Sequence, residues 1–155
     1  MTLTLVQRPQ TIVVGLLIHT QPMSPEIPAL WPRFVARIDE IPHPAEPRVS
    51  YGVMGPDGGK DRLDYMAAVS VSADGPVPEG MTRMVLPGGT YARFSFPLSK
   101  LGEGFREIFQ RALPESAYVQ GPGPFFERYG EDFSPDDPDS AVEVWLPVQP
   151  KTVAG

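Results

Sequence analysis

Alternation of apolar and polar positions is strongest in the last third of the chain. Pro124 to Tyr129 and Ala141 to Val148 are rich in aromatic and β-branched residues and are bounded by Gly, Pro, Ser and Asp. That composition predicts two strands joined by an acidic loop. Because side chains alternate across a strand, Phe125, Glu127 and Tyr129 share one face of the first, and Ala141, Glu143, Trp145 and Pro147 share one face of the second. Val142, Val144, Leu146 and Val148 form an aliphatic stripe suited to a core. Each strand therefore sets one carboxylate among rings, an arrangement suited to a flat, cationic or polarised organic molecule. A glutamate on the wet face of an antiparallel sheet is the alternative reading.

The same reading extends backwards along the chain. Leu3 to Val6 predicts a short edge strand, and Thr11 to His19 a central one containing the apolar run Ile12 to Ile18. Leu30, Phe34, Ile38 and Ile41 fall at helical spacing, widened by Trp31 and Val35. An interior proline disrupts a helix, so the helix is expected to start at Pro32 and to end at Pro42. Arg48 to Met54 and Leu63 to Val71 read as strands flanking a turn at residues 55–59, with Leu63, Tyr65, Ala67, Val69 and Val71 on one face. Residues 73–80 read as a loop. Thr82 to Leu86 and Thr90 to Phe96 are extended. Leu101, Phe105, Ile108, Phe109 and Ala112 predict a second amphipathic helix, with Ser99 as its N-cap and Pro114 at its end. The order strand-helix-strand-strand thus occurs twice, which implies an α+β architecture: an antiparallel sheet, two helices and a groove between the halves. The expected organisation is one domain over residues 1–150, with halves of about 3–72 and 82–149 and a flexible tail at 151–155.

Composition narrows the function. With 155 residues, a core large enough to stand without staples is expected. The chain has no cysteine, which removes disulfides and thiolate chemistry and is compatible with a cytosolic location. A formal net charge of -6 offers no basic footprint for a nucleic-acid backbone, so direct nucleic-acid binding is not expected. Residues 12–18 are too few to span a membrane. His19 and His43 lack ligand spacing, and the acidic loop 131–139 lacks the pattern of a calcium loop, so neither a metal nor another cofactor is expected. That loop reads as a solvated hairpin connection. The 20 prolines and 15 glycines are scattered between periodic segments and act as punctuation.

Several stretches together resemble a known group. Pro87-Gly88-Gly89-Thr90-Tyr91-Ala92, the helix ending at Leu113-Pro114, Phe126-Glu127-Arg128-Tyr129 and Val142 to Gln149 are similar to the GyrI-like small-molecule-binding superfamily. Trp31, Tyr51-Gly52-Val53 and Leu63-Asp64-Tyr65 fit its first half. That group includes effector-binding domains of AraC-type and MerR-type regulators and standalone gyrase-inhibitory proteins; this chain resembles a standalone member, and Pro28 and Pro32 depart from the usual first helix. The resemblance implies tandem modules with a ligand groove. It also implies that Glu127 pairs with cationic aromatic compounds, that Glu143 assists, and that Tyr51 and Tyr65 supply aromatic walls. With Trp31, Trp145, Phe125 and Tyr129, these form the candidate ligand-binding set.

Three functions follow in order: a binder of small aromatic, cationic compounds; a hydrolase of reactive small molecules; and a gyrase-modulating protein acting on a protein partner. In the hydrolase reading Glu127 is general base and Tyr51 the proton donor, with Tyr65, Tyr91 and Tyr129 as alternative donors. A cation over a ring gains roughly 0.5–2 kcal/mol. Arg128 should point away from Glu127; an arginine bridged to Glu127 would weaken the binding reading.

Overall fold

The computed structural model describes residues 3–55, 62–72 and 75–151. The turn expected at 55–59 therefore lies almost wholly outside the described residues, as do positions 73 and 74 of the following loop and residues 152–155 of the tail.

Among the described residues nine strands form in the order β1 (Thr4–Arg8), β2 (Thr11–Thr20), β3 (Ser50–Gly55), β4 (Leu63–Val71), β5 (Thr82–Leu86), β6 (Gly89–Pro97), β7 (Tyr118–Gln120), β8 (Phe125–Tyr129) and β9 (Ala141–Pro150). Helix α1 (Glu26–Val35) lies between β2 and β3, and α2 (Leu101–Glu107) between β6 and β7. The architecture is α+β. The sheet runs β1-β6-β9-β8-β3-β4-β2-β5, with β7 paired to β9, and its neighbours are antiparallel. Read outward from its centre, β3-β4-β2-β5 mirrors β8-β9-β6-β1, so the two runs of sequence are related by an approximate two-fold axis between β3 and β8. Gly52 lies opposite Glu127 at that centre. The outermost strands are exchanged: β1 pairs with β6, and β5 with β2.

The sheet curls until its two ends meet. A side-chain carbon at Gly88, in the turn between β5 and β6, would lie 2.9 Å from Gln10 N in the turn between β1 and β2. The inner face of the curl holds Val13, Val53, Met66, Tyr91, Phe126 and Trp145. The outer face carries both helices. Tyr65, Ala67, Val69 and Val71 pack there with Leu30 and Phe34 of α1, while Val144, Leu146 and Val148 pack with Ile108 and Leu113. The stripes expected from alternation on β4 and β9 are therefore the helix-facing stripes. Strand β4, at the middle of its half, is buried on both faces.

The helices depart from expectation at their ends. Helix α1 starts six residues before Pro32 and contains it. Ser24 Oγ accepts from Glu26 N at 3.1 Å, and Pro28 falls in the first turn, where its missing N–H would have no intrahelical partner anyway. The regular helix stops at Val35. A separate 3₁₀ turn over Ile38–Glu40 brings Ile38 and Ile41 back against the core. Ser99 does not cap α2: a 3₁₀ turn over Leu98–Lys100 precedes the helix, with no side-chain cap. The backbone N–H of Ser99 instead bonds Pro138 O at 3.0 Å. The helix continues as a π turn over Ile108–Ala112, closed by Leu113 N to Ile108 O at 2.9 Å. Gln149 and Pro150 belong to β9, where β7 pairs with them. Among the described residues no helix is long and apolar enough to cross a membrane.

Candidate functional site

A cavity of about 530 Å³ opens on the helix side of the sheet, between α1, the start of α2 and the β8–β9 loop. Its lining follows from periodicity. Ile27, Trp31 and Val35 lie four residues apart on α1 and face the space, while Leu30 and Phe34 on the adjoining stripe are buried against the sheet. Even-numbered residues of β3 and odd-numbered residues of β8 point to this side, placing Ser50, Glu127 and Tyr129 on the floor. Leu98 and Leu101 come from the entrance to α2, and Phe133 and Pro135 from the acidic loop.

Among the described residues Glu127 is the only charged one in that lining, and it is only 5% exposed. Its Oε1 accepts hydrogen bonds from Tyr65 OH at 2.9 Å and Tyr129 OH at 2.8 Å. Trp31 Nε1–H donates to Tyr65 OH at 3.1 Å, so indole, phenol and carboxylate form a chain. The Trp31 ring meets the rings of Tyr65 and Tyr129 edge-on at 6.5 and 5.4 Å, and Tyr129 meets Phe133 at 4.7 Å. None of the described ion pairs reaches Glu127. Burial pushes its carboxyl above the usual glutamate range, and the two phenolic hydrogen bonds offset only part of that rise. Burial, reinforced by the neighbouring carboxylate, pushes Tyr65 and Tyr129 well above the usual phenol value. Both phenols therefore remain protonated donors.

Gly52 makes this bracket possible. A side-chain carbon there would collide with Tyr65 OH and come within 2.5 Å of Glu127 Oε1. The carboxylate and phenol occupy the volume that any other residue opposite Glu127 would fill.

Of the sequence-identified set, Glu127, Tyr65, Tyr129 and Trp31 converge on the cavity. Phe125 lies on the same face but packs against Phe105 and Phe109 at 6.5 and 5.9 Å and is not in the lining. Tyr51, Glu143 and Trp145 do not reach the cavity. They lie across the sheet, because the register sets Glu127 opposite Val144, and Arg128 opposite both Glu143 and Tyr51. There Arg128 binds Glu46 at 2.8 Å and Glu143 at 3.4 Å. Tyr51 OH donates to Glu46 Oε1 at 2.6 Å, and Trp145 Nε1 to Glu143 Oε1 at 3.2 Å. The Arg8 guanidinium lies over the rings of Tyr51, Phe126 and Trp145 at 5.4, 5.0 and 5.0 Å. The second carboxylate is thus neutralised from within, and Tyr51 cannot serve Glu127 as proton donor. Tyr91 is also on that far face, its hydroxyl donating to Pro87 O at 2.6 Å.

The expectation for Arg128 holds, since it faces away from Glu127. The solvated reading of the acidic loop needs amending, because Phe133 turns inward. An aromatic residue within Glu131-Asp132-Phe133-Ser134-Pro135 was the available signal. Ser50 carried no signal beyond its even spacing from Gly52.

A curled antiparallel sheet with two helices on its outer face, and an aromatic cavity holding one carboxylate between them, defines an effector-binding domain of the GyrI-like kind. Within that class, residues 4–148 match the integron-associated effector binding protein family, and the chain belongs to it. The transcriptional regulator BrlR of Pseudomonas aeruginosa is 34% identical over 149 residues, covering 93% of this chain and 54% of the regulator. This chain therefore spans about half the length of that relative. SAV2435, solved bound to tetraphenylphosphonium, superposes with a TM-score of 0.78 at 19% identity, covering 96% of this chain and 94% of that one. The EcmrR C-terminal domain superposes with a TM-score of 0.72 at 17% identity, over 97% and 98% of the two chains. Both likenesses show the fold.

Proposed function

We propose that this protein binds aromatic, lipophilic cations, with Glu127 as their counter-charge and Trp31, Tyr65, Tyr129 and Phe133 as their walls. The observation that carries this reading is a buried carboxylate with two phenols and no cation among its neighbours. Burying an ion without a partner is costly. A positive guest supplies the missing charge and gains from the ring faces as well. Rings stack on many shapes, so selectivity among guests is broad. The tetraphenylphosphonium bound by the structurally similar SAV2435 is a guest of this chemistry.

The test is a titration of wild type and Glu127→Gln with tetraphenylphosphonium and with an uncharged aromatic of similar size, followed by calorimetry. Glutamine keeps the acceptor for both phenols and removes the charge. Affinity for the cation should fall at least tenfold, about 1.4 kcal/mol, with little change for the neutral compound. Equal losses for the two compounds would overturn the reading.

Hydrolysis is the second reading, favoured by the hydrogen bonds from Tyr65 and Tyr129 to a carboxylate whose affinity for protons is raised. Glu127 would take a proton from water and one of these phenols would protonate the leaving group. Multiple turnover of an activated ester separates a catalyst from a binder, which consumes none.

A further inference from the structure

Two oxygen atoms on the cavity floor have no hydrogen-bond partner among the described residues. One is Glu127 Oε2, because both phenols donate to Oε1. The other is the hydroxyl of Ser50, a half-buried residue that lines the cavity. The register fixes their relation. Ser50 pairs with Tyr129, and Gly52 with Glu127, so Ser50 and Glu127 are diagonal neighbours on one face of adjacent strands, roughly 7 Å apart. The remaining polar groups are committed: Tyr65 and Tyr129 donate to the carboxylate, and Trp31 donates to Tyr65. All other lining side chains are apolar.

From this geometry we propose that Ser50 is a specificity-determining residue, and that the preferred guests are aromatic cations bearing a hydroxyl, amine or similar hydrogen-bonding group about one ring's width from the charge. The cation sits against Glu127 and its substituent meets the Ser50 hydroxyl, which both donates and accepts. An unsubstituted cation leaves that hydroxyl unused. A guest whose polar group lies elsewhere on the ring system meets only apolar wall and loses the hydrogen bonds it made to water. This proposal rests on the binding reading above and adds a second recognition point to it.

The matched probes are tetraphenylphosphonium and its (4-hydroxyphenyl)triphenyl analogue, equal in charge and nearly equal in shape. Their affinities are measured on wild type, Ser50→Ala, Ser50→Thr and Glu127→Gln. Wild type should prefer the hydroxylated probe by about threefold to tenfold, the range of one hydrogen bond. Ser50→Ala should bring the ratio to about one without weakening the parent cation, and Ser50→Thr, which keeps the hydroxyl, should restore the preference. A ratio unchanged by Ser50→Ala overturns the proposal, as does a wild type with no preference. Glu127→Gln is judged separately by the absolute affinity of the parent cation. If that affinity is unaffected, the counter-charge reading fails while the ratio still reports on Ser50. Wild type that binds neither probe overturns both.

Discussion

On one face of β8, Glu127 is buried with two phenols and no arginine beside it; on the other, Arg128 is shared between Glu46 and Glu143. Both faces carry carboxylates next to tyrosine and tryptophan rings, and both use a tyrosine hydroxyl as donor. The difference is where the positive charge comes from. On the inner face of the curl it is built in, from Arg128 and from Arg8 over Tyr51, Phe126 and Trp145. Burial works against the charge on Glu46, but hydrogen bonds from Tyr51, Arg128 and Ser70 outweigh it and hold the carboxyl below the usual range. On the helix side burial prevails, and Glu127 is displaced upward. A carboxylate among rings is therefore not sufficient to mark a receptor for cations: Glu46 and Glu143 share an internal arginine, whereas none of the described ion pairs reaches Glu127.

The contrast breaks most sharply when the arginine is removed. Arg128→Ala leaves Glu46 and Glu143 half-buried without their shared partner, and should cost roughly 2 kcal/mol in urea unfolding. Glu127→Gln should leave stability within about 1 kcal/mol of wild type, because it removes a charge with no counter-ion and keeps the acceptor for both phenols. If both variants are equally destabilised, the two faces are not different in kind.

Acidity sharpens the same contrast, with opposite signs. Glu127 holds its proton more tightly in the folded chain than the ordinary glutamate value of about 4.3. Its contribution to stability is therefore complete below that value and is lost as pH rises through the higher, folded one. Glu46 is displaced downward, so its contribution is present above the ordinary value and lost as pH falls through the folded one. Melting curves against pH should show Glu127→Gln flattening the first slope and leaving the acid limb intact. The increase in melting temperature produced by tetraphenylphosphonium should grow with pH through Glu127's titration, since only the ionised form attracts the cation. An increase independent of pH would place the cation away from Glu127.

The smallest effect is expected for the acid assigned to the cavity from sequence. Glu143→Gln removes one long contact to Arg128 at 3.4 Å, and should change stability by roughly 0.5 kcal/mol or less and tetraphenylphosphonium affinity not at all.

That last residue shows where the sequence stops being legible. Alternation identifies the strands containing Glu127 and Glu143, and it identifies which neighbours share each residue's face. It does not say how β8 and β9 are set against each other. Glu127 pairs with Val144 and Arg128 with Glu143, an offset of one residue that sends the two acids to opposite faces. Tyr51 falls on the far face for the same reason, since it is Gly52 that pairs with Glu127. The eight longer strands are visible as runs of alternating or continuous apolar residues. The three-residue β7 is too short to show a period. The start of α1 is not legible because Pro32 has the signature of a first-turn residue, whereas Pro25, Pro28 and Pro32 sit at or inside a ten-residue helix. Trp31 and Tyr65 enter the candidate set through the family resemblance, and both line the cavity. Leu101 reads as a helix core position and Leu98 and Ser50 carry no signal, because nothing in an isolated sequence distinguishes a cavity wall from a core.

The hydrogen atom that stands in place of a side chain at Gly52 has a further consequence. Twinned folds commonly offer a pair of matching seats, one contributed by each copy. Here the axis passes between position 52 and position 127, and space at that crossing admits a single acidic group. The hollow takes its walls from both halves of the sheet and its charge from one, so with Glu127 as counter-charge saturation should occur at one guest per chain.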